Sequence, residues 1–368
     1  MKTKKLLVNT GQEKYSIIIG SKLISNLRKI IKSESINFIK CLIIADKNVP
    51  KEKINLIKDQ LNNKDLYIYY IKANEKNKNQ RTTSEILEIL LRHNFSKEDV
   101  LISVGGGITG DVAGYAASLF KRGLKFINIP TTLLAQVDSS IGGKTGVNTK
   151  YGKNLIGTFY QPKLVITDTD FLNTLPKREI ICGYGEILKH SLICDKKLFQ
   201  FLNKNLGEIL QFKSPYIQKT IYESCKIKKR VVEKDEKEKN IRKILNFGHT
   251  FAHAYEASLS FSKKLNHGEA VILGMTTALK FSKLNNFLPI DEFKTITNHI
   301  ESFNLPNDLK KYFLLKDINK IISFMINDKK NNSDKINLIL LKKIGTPLMN
   351  KKFDKERLKI FLKKELSD

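Results

Sequence analysis

Short apolar runs alternate with amphipathic segments along the first half of the chain. Runs rich in Ile, Leu and Val predict strands at 15–19, 41–45, 66–71, 100–104 and 126–129. Apolar residues at helical spacing predict helices at 24–31, 53–61 and 83–93, the last opened by Thr82 or Thr83. This alternation of strands and helices predicts an α/β layer built on a mostly parallel sheet.

The second half, from about Thr167, has helical periodicity almost throughout. A chain of 368 residues has the length of two average domains. We therefore predict an α/β domain at 1–166 and an all-α domain at 167–368.

Lysine dominates the formal charge of +28, because only eight of the 65 basic residues are Arg. Proteins that read nucleic acids favour Arg, whose planar group makes paired contacts with bases and phosphates. The lysines are also scattered, which an A/T-rich genome explains more simply. We expect no nucleic-acid partner, although the positive charge would favour a small anionic substrate.

Cysteine usage and hydropathy indicate a cytoplasmic protein without a membrane segment. The four cysteines, at 41, 182, 194 and 225, lack the CxxC spacing of thiolate zinc sites and redox pairs. Free thiols fit a reducing compartment. No apolar run approaches the roughly 20 residues of a membrane span, and the basic N-terminus precedes only three apolar residues.

Three of the six histidines fall within residues 246–269. His249 and His253 are four apart and share one helix face, and a polar turn then allows a second helix to bring His267 alongside. Two imidazoles and one carboxylate leave a coordination position open, as catalytic zinc sites do, and Glu186 is the candidate carboxylate. A lone histidine on an apolar face is more often structural, but this clustering favours a metal site. The segment lacks the Glu after the first His that the metalloprotease motif requires.

A glycine turn follows the fourth predicted strand and opens a helix. Gly105, Gly107 and Gly110 match G-x-G-x-x-G, which lets a pyrophosphate approach the backbone at a helix N-terminus. The usual acidic residue about 20 positions later is missing, because position 130 is Pro, and the available strand-end acid is Asp46. We predict dinucleotide binding in a non-standard arrangement. The alternative is a turn needed only for strand–helix packing.

Two further glycine-rich loops carry Lys144 and Lys153. A loop lysine is usually solvated, but flanking glycines favour contact with phosphate or carboxylate, to which Lys offers a point charge. In the second half, Glu186 and Lys189 are three apart on one helix face.

Together these residues resemble the 3-dehydroquinate synthase family of sugar phosphate cyclases. The specific blocks are Thr131-Thr132, 138–144, Gly152-Lys153-Asn154, 246–249 and His267-Gly268-Glu269. Weaker likeness lies at 46–48, 74–78 and 328–330, so the resemblance spans nearly the whole chain. It implies a Rossmann-like NAD-binding α/β domain followed by an all-α metal-binding domain, an active site between them, and a homodimer.

Carried over residue by residue, the resemblance implies three groups of contacts. One Zn²⁺ or Co²⁺ per chain would be bound by Glu186, His249 and His267. NAD would contact Asp46, Asn48, Glu75, Lys78, Gly106, Gly107, Asp111, Thr131, Thr132, Asp138, Lys144, Lys153, Phe171, Thr174, Leu175 and Glu179. Catalytic and substrate-binding roles would fall to Arg122, Asp138, Lys144, Asn154, Lys189, Lys228, Arg242, Asn246 and His253, with Lys329 or Lys330 completing a phosphate cluster. Asn74 stands where the family often has Gly, and Asn tolerates positive φ.

The implied activity is a carbon–oxygen lyase reaction of the shikimate pathway. It converts 3-deoxy-D-arabino-heptulosonate 7-phosphate to 3-dehydroquinate and phosphate by transient oxidation, elimination, reduction and intramolecular aldol closure. Zinc would act as Lewis acid, NAD⁺ would hold the hydride for part of each turnover, and His253 would relay protons near the phosphate. The substrate's phosphate and carboxylate suit the basic residues named above.

Other activities remain as alternatives. Related cyclases make deoxy-inosose or valiolone-type rings, and metal-dependent polyol dehydrogenases share the fold. The joint presence of Lys144, Asn154, Lys228 and Arg242 favours the carboxylate-bearing substrate. A basic non-catalytic module would instead bind nucleic acid with steep salt dependence and ignore a chelator.

Overall fold

The computed structural model describes residues 3–11, 13–62, 64–327 and 335–367. The prediction that Lys329 or Lys330 contacts phosphate lies outside the described residues. The strands are β1 (Lys4–Asn9), β2 (Lys14–Gly20), β3 (Lys40–Asp46), β4 (Asp65–Ile71), β5 (Val100–Gly105), β6 (Lys125–Pro130), β7 (Lys144–Thr149), β8 (Gly152–Phe159), β9 (Leu164–Asp168), β10 (Lys335–Lys343) and β11 (Thr346–Asp354). The helices are α1 (Leu27–Ser33), α2 (Lys51–Gln60), α3 (Gln80–Arg92), α4 (Gly107–Leu119), α5 (Lys177–Cys194), α6 (Lys196–Leu210), α7 (Tyr216–Lys234), α8 (His249–Ser258), α9 (His267–Leu284), α10 (Ile290–Ser302), α11 (Ile318–Asn327) and α12 (Lys355–Ser367).

The chain divides into two compact units, each made of two stretches of sequence. One comprises Met1–Ile180 and Gly207–Glu238, and the other comprises Ile181–Leu206 and Lys239–Asp368. The domain boundary at 166/167 stays a prediction.

A seven-stranded sheet organises the first unit, within the residues described. Its order is β1-β2-β9-β6-β5-β3-β4, and every neighbouring pair is parallel except β1 and β2. Strand β5, in the interior of the sheet, is buried at all six positions, as expected for a parallel strand covered on both faces. The predicted parallel α/β sheet is therefore confirmed.

Alternate residues of the central strands feed two separate cores. On one face, Ile43 and Ile102 pack in a cluster with residues of α1 and α2, such as Leu27 and Ile54. On the other face, neighbours of those strand residues pack against α3 and α4, in a cluster that includes Leu42, Leu101, Ile86, Leu90 and Val112. Since side chains alternate along a strand, the continuous apolar runs serve both faces.

The second unit is mainly helical, as predicted, and α9 is its most buried helix. Fourteen of the eighteen residues of α9 are buried, which suits a helix that other elements surround. The hairpin of β10 and β11 also belongs to this unit. The predicted all-α domain omitted this hairpin, because a short apolar run such as 338–341 has no period that distinguishes a strand from a helix.

One local prediction needs correction, and one strand was not predicted. Helix α3 begins at Gln80, and its N-cap is Asn79, whose side chain accepts a hydrogen bond from the Thr82 backbone N–H at 3.0 Å. It therefore opens before Thr82 or Thr83. Strand β1 was not predicted, because it is a half-exposed edge strand rich in Lys. Among the residues described, every helix is too short or too polar to span a bilayer.

Candidate metal centre and cofactor-binding residues

Three predicted metal ligands come together in the second unit. Glu186 lies on α5, His249 is the first residue of α8, and His267 is the first residue of α9. One ligand atom of each lies within 4.8 Å of the others, and Nε2 of His249 is 3.7 Å from Oε1 of Glu186. One carboxylate and two imidazoles on three helices form a donor set that suits a divalent cation such as Zn²⁺ or Co²⁺.

Glycines set the spacing of the three helices beside the ligands. A Cβ added at Gly268 would lie 2.2 Å from Cα of Cys182, so α5 and α9 are in backbone contact there. A Cβ added at Gly274 would lie 2.3 Å from the carbonyl oxygen of Gly248, so α8 and α9 are equally close. Gly248 caps α8 with φ of +79°, a conformation that favours glycine. The motif glycines therefore position the ligands.

Hydrogen bonds at Nδ1 prepare both histidines to bind through Nε2. Nδ1 of His249 lies 3.3 Å from the carbonyl oxygen of Phe247, and Nδ1 of His267 lies 3.0 Å from Oε2 of Glu256. A ring N–H donated to each of these oxygens leaves the lone pair on Nε2. Metal-binding histidines commonly have such a partner on the other ring nitrogen, so the residues present fit a metal.

The electrostatic surroundings of the two histidines differ. Burial, with the positive charge of Lys189 as the next cause, holds the pKa of His249 well below its ordinary value. Burial also lowers the pKa of His267, but the hydrogen bond and negative charge of Glu256 outweigh it and raise that pKa overall. Lys189 Nζ forms an ion pair with Oε2 of Glu186 one turn along α5, and both side chains are buried.

The other predicted residues of this unit are close in sequence to the candidate ligand His249. His253 follows His249 by one turn of α8, and its ring centroid is 5.4 Å from that of His249 and 6.2 Å from that of His267. Arg242, which is buried, and Asn246 belong to the 3₁₀ segment Ile241–Asn246 just before α8. The structure thus places His253 beside His249 and His267, and the grouped set of three candidate ligands does not include it.

In the first unit, the predicted nucleotide residues gather at one edge of the sheet. Asp46 ends β3, Gly106 and Gly107 follow β5, and Thr131 and Thr132 follow β6. Because β3, β5 and β6 are adjacent and parallel, their carboxyl ends meet at the crevice where such sheets bind ligands. The order of strands thus explains how an acid so far upstream could serve the glycine turn.

The glycine turn also has a packing role. A Cβ at Gly105 would lie 2.4 Å from Oγ1 of Thr109, and one at Gly107 would lie 2.9 Å from Oγ of Ser139. Tight packing therefore explains these two glycines whether or not a nucleotide binds. Burial raises the pKa of Asp46 at the same edge, against hydrogen bonds from Asn48 that lower it.

A buried lysine joins the predicted cofactor and substrate residues. Nζ of Lys78 lies 2.5 Å from Oδ2 of Asp111 and 2.6 Å from Oδ1 of Asn154. Burial raises the pKa of Asp111, and Lys78 opposes that shift. Nearby in the chain, Glu75 lies 3.3 Å from Nζ of Lys153.

Two other predicted lysines have carboxylate partners. Nζ of Lys228 on α7 donates to Oδ1 of Asp138 at 2.5 Å and to the backbone oxygen of Asp138 at 2.6 Å. Lys144 pairs with Glu238, which sequence reasoning missed. Glu238 lies in the turn after α7 at φ of +56°, and no sequence pattern distinguishes it from other acids of that charged turn.

The remaining predicted residues lie in two segments of the chain. Phe171, Thr174, Leu175 and Glu179 come after β9, where Oγ1 of Thr174 donates to the Phe171 carbonyl at 2.9 Å. Arg122 lies in the turn between α4 and β6 at φ of +65°, and its side chain is exposed rather than buried beside the lysines above.

The fold and the three-ligand set place the chain in the structural class of the sugar phosphate cyclases. A solved structure of 2-deoxy-scyllo-inosose synthase complexed with carbaglucose-6-phosphate, NAD⁺ and Co²⁺ is 27% identical, with a TM-score of 0.86 and coverage of 98% of this chain and 99% of that one. ValA, a 2-epi-5-epi-valiolone synthase from Streptomyces hygroscopicus with NAD⁺ and Zn²⁺ bound, has a TM-score of 0.85 and covers 95% of this chain and 96% of its own. At 23% identity it shows the fold alone.

The chain belongs to the 3-dehydroquinate synthase family. Family models for the N-terminal and C-terminal parts of 3-dehydroquinate synthase match residues 68–182 and 183–331. A 3-dehydroquinate synthase from Pelagibacter ubique is 62% identical over 366 residues, which is 99% of each chain. The family that the sequence motifs indicated is therefore confirmed.

Proposed function

We propose that this chain is a 3-dehydroquinate synthase, which converts 3-deoxy-D-arabino-heptulosonate 7-phosphate to 3-dehydroquinate and phosphate. The observation that carries the proposal is 62% identity over nearly the whole chain to a protein of that activity. The grouping of Glu186, His249 and His267 supports it, because the reaction requires a divalent cation beside the substrate.

The two units would hold different cofactors. Residues at the carboxyl edge of the sheet, together with Lys78 and Asp111, would bind NAD. Glu186, His249 and His267 would bind Zn²⁺ or Co²⁺. When bound, NAD⁺ supplies a temporary hydride acceptor and the cation polarises the substrate hydroxyl that is oxidised.

The basic side chains would bind and orient the anionic substrate. Lys228, which is buried, is held by Asp138, so its ammonium has a fixed position before substrate arrives, whereas the more exposed Lys144 pairs with Glu238. A rigid cation loses less conformational entropy on binding than a solvated one, and correct placement of the reacting groups lowers the barrier. Arg242 would add a planar group that suits a carboxylate or phosphate.

His253 would hold and move a proton near the leaving phosphate. It lies on the same face of α8 as His249 and beside His267, so we expect it to reach a metal-bound substrate without binding the metal itself. If His253→Ala turned over at the wild-type rate, this role would be excluded.

The sequence identities favour this activity over the alternatives. The deoxy-inosose synthase, with its different sugar phosphate, is 27% identical, less than half the value for the 3-dehydroquinate synthase. A polyol dehydrogenase would accumulate NADH with a simple alcohol. The proposed reaction returns its hydride and accumulates none.

A homodimer in the cytoplasm is part of the proposal. The hairpin of β7 and β8 exposes large apolar side chains at Tyr151, Leu155, Ile156 and Phe159, a surface that a second copy would cover. The spacing of the four cysteines, which gives no CxxC pair, fits a reducing compartment. Light scattering should give twice the chain mass, and Leu155→Asp should shift it toward the monomer; a monomeric wild type would contradict the dimer.

The activity is tested with purified protein, the heptulosonate phosphate, NAD⁺ and Zn²⁺. We expect phosphate release without net NADH, its loss in EDTA, and its recovery with Zn²⁺ or Co²⁺. NADH accumulation without phosphate release, or activity that EDTA leaves unchanged, would contradict the proposal.

A further inference from the structure

We propose that Glu256 is a positioning residue that fixes His267 for metal binding through a charged hydrogen bond to Nδ1. The inference rests on the proposed metal centre and deepens it. Glu256 follows His249 by seven residues on α8, so the two lie on one face two turns apart. Helix α8 therefore serves the centre twice, once with a ligand and once with the partner of a ligand from α9.

Burial indicates that this carboxylate has a specific use. The Glu256 side chain is only 9% exposed, and its Oε2 is 3.0 Å from Nδ1 of His267. A carboxylate taken out of water destabilises the fold unless a charged or hydrogen-bonding partner compensates it. In an otherwise apolar stretch of α8, an acid at this position is accounted for by the imidazole that it contacts.

His267 is the ligand that most needs an anchor. Its side chain is 41% exposed, against 13% for His249 and 1% for Glu186. Packing alone therefore restrains the His267 ring less than it restrains the other two. The hydrogen bond from Nδ1 fixes the rotation of the ring and places the lone pair on Nε2.

The negative charge of Glu256 should also strengthen the metal bond. A carboxylate that accepts the Nδ1 proton makes Nε2 more basic, and removing such a partner typically weakens metal binding about 10- to 100-fold. His249 has a neutral carbonyl acceptor at 3.3 Å instead. The two imidazoles are therefore unequal, and loss of Glu256 should affect His267 alone.

The test compares Glu256→Ala and Glu256→Gln with Tyr255→Phe. Tyr255 is the buried neighbour of Glu256 on α8, and its hydroxyl pairs with Oγ1 of Thr277 at 2.9 Å, away from the ligands. The control therefore removes a buried hydrogen bond of the same helix. Zn²⁺ and Co²⁺ affinities are measured by competition with a chromophoric chelator, and the visible spectrum of the Co²⁺ form reports ligand geometry.

We expect Glu256→Ala to bind both metals about 10- to 100-fold more weakly and to alter the Co²⁺ spectrum. Glu256→Gln keeps an acceptor without its charge and should fall between Glu256→Ala and wild type. Tyr255→Phe should lose stability but keep wild-type affinity. If Glu256→Ala fails to fold, Glu256→Gln decides, since it preserves shape.

Two outcomes overturn the role of Glu256 while the metal centre stands. One is wild-type affinity in Glu256→Gln together with an unchanged spectrum. The other is an equal loss of affinity in Tyr255→Phe, which would show a general effect of loosening α8. A wild-type chain that binds neither metal would instead refute the proposed metal centre itself.

Discussion

Gly268→Ala should weaken metal binding strongly although it changes no candidate ligand. The added Cβ would lie 2.2 Å from Cα, 2.5 Å from the oxygen and 2.7 Å from the carbonyl carbon of Cys182. These are main-chain atoms of α5, so no side-chain rotation relieves the contact. Carbon atoms in contact normally lie about 3.5–4.0 Å apart, so α5 and α9 must separate by roughly 1 Å at this point.

That displacement is large for a metal centre. Glu186 follows Cys182 by one turn of α5, and His267 directly precedes Gly268. Metal–ligand distances must hold within about 0.2 Å, so the two helices can no longer supply ligands to one ion. Structural zinc sites with four ligands bind with about 10–16 kcal/mol, so the loss of one ligand should cost about 3 kcal/mol, which is about a hundredfold in Kd. Overpacking should also lower the free energy of unfolding by about 1–3 kcal/mol.

The chain offers a matched control in Gly207→Ala. Gly207 lies inside α6, and no atom lies within 4 Å of a Cβ added there. Alanine should stabilise that helix by up to about 1 kcal/mol and leave metal affinity unchanged. Chelator competition gives the affinities, and thermal unfolding in EDTA separates fold stability from binding. A Gly268→Ala chain with wild-type Zn²⁺ affinity would refute the view that helix spacing sets the centre.

Lys228→Met should lower the free energy of unfolding by about 3 kcal/mol, because it leaves Asp138 without the ammonium 2.5 Å away; adding Asp138→Asn should restore stability but not phosphate release. Lys78→Met should weaken NAD⁺ binding about tenfold by calorimetry, because Asp111 loses its charged hydrogen bond; unchanged affinity would contradict that role. Burial lowers the pKa of His299 from 6.5 to about 4. The contribution of neutral His299 to the free energy of unfolding is therefore complete above pH 6.5 and is lost as the pH falls toward 4, by about 3 kcal/mol in total. His299→Gln should flatten the plot of unfolding free energy against pH in this range.

The central sheet was predictable because burial on both faces leaves a plain pattern. A strand such as β5, apolar at nearly every position, is compatible with few other structures once turn residues bound it. Strand β1 gave no such pattern, because only Leu6 and Val8 of its six residues are buried, and the others are Lys, Asn and an exposed Leu7. The hairpin of β10 and β11 was missed for a related reason, since apolar and polar residues do not alternate regularly along β10.

The structure brings the three candidate metal ligands together, and the two histidines among them stood out in the sequence because histidine is rare here and both lie in one short segment. The hydrogen-bond partners of the candidate site lysines were not predictable, because each contact joins segments far apart in the chain. Lys144 and Glu238 are 94 positions apart, and Lys78 and Asn154 are 76 apart. No period or motif relates such positions in a single sequence. Only the fold brings them into contact.

Glu256 lies between these two cases. Residues 249, 253 and 256 fall at i, i+4 and i+7 of one helix, so the pattern that brought His253 to the face of His249 also brought Glu256 there. The pattern could not predict the position of α9. Its first residue, His267, forms the hydrogen bond with the carboxylate of Glu256. Helix α9 is fixed by the contacts at Gly268 and Gly274, and these depend on the absence of side chains. The sequence therefore predicts that Glu256 lies on the same helix face as His249. It does not predict that Glu256 contacts His267, because that contact depends on how closely α8 and α9 pack.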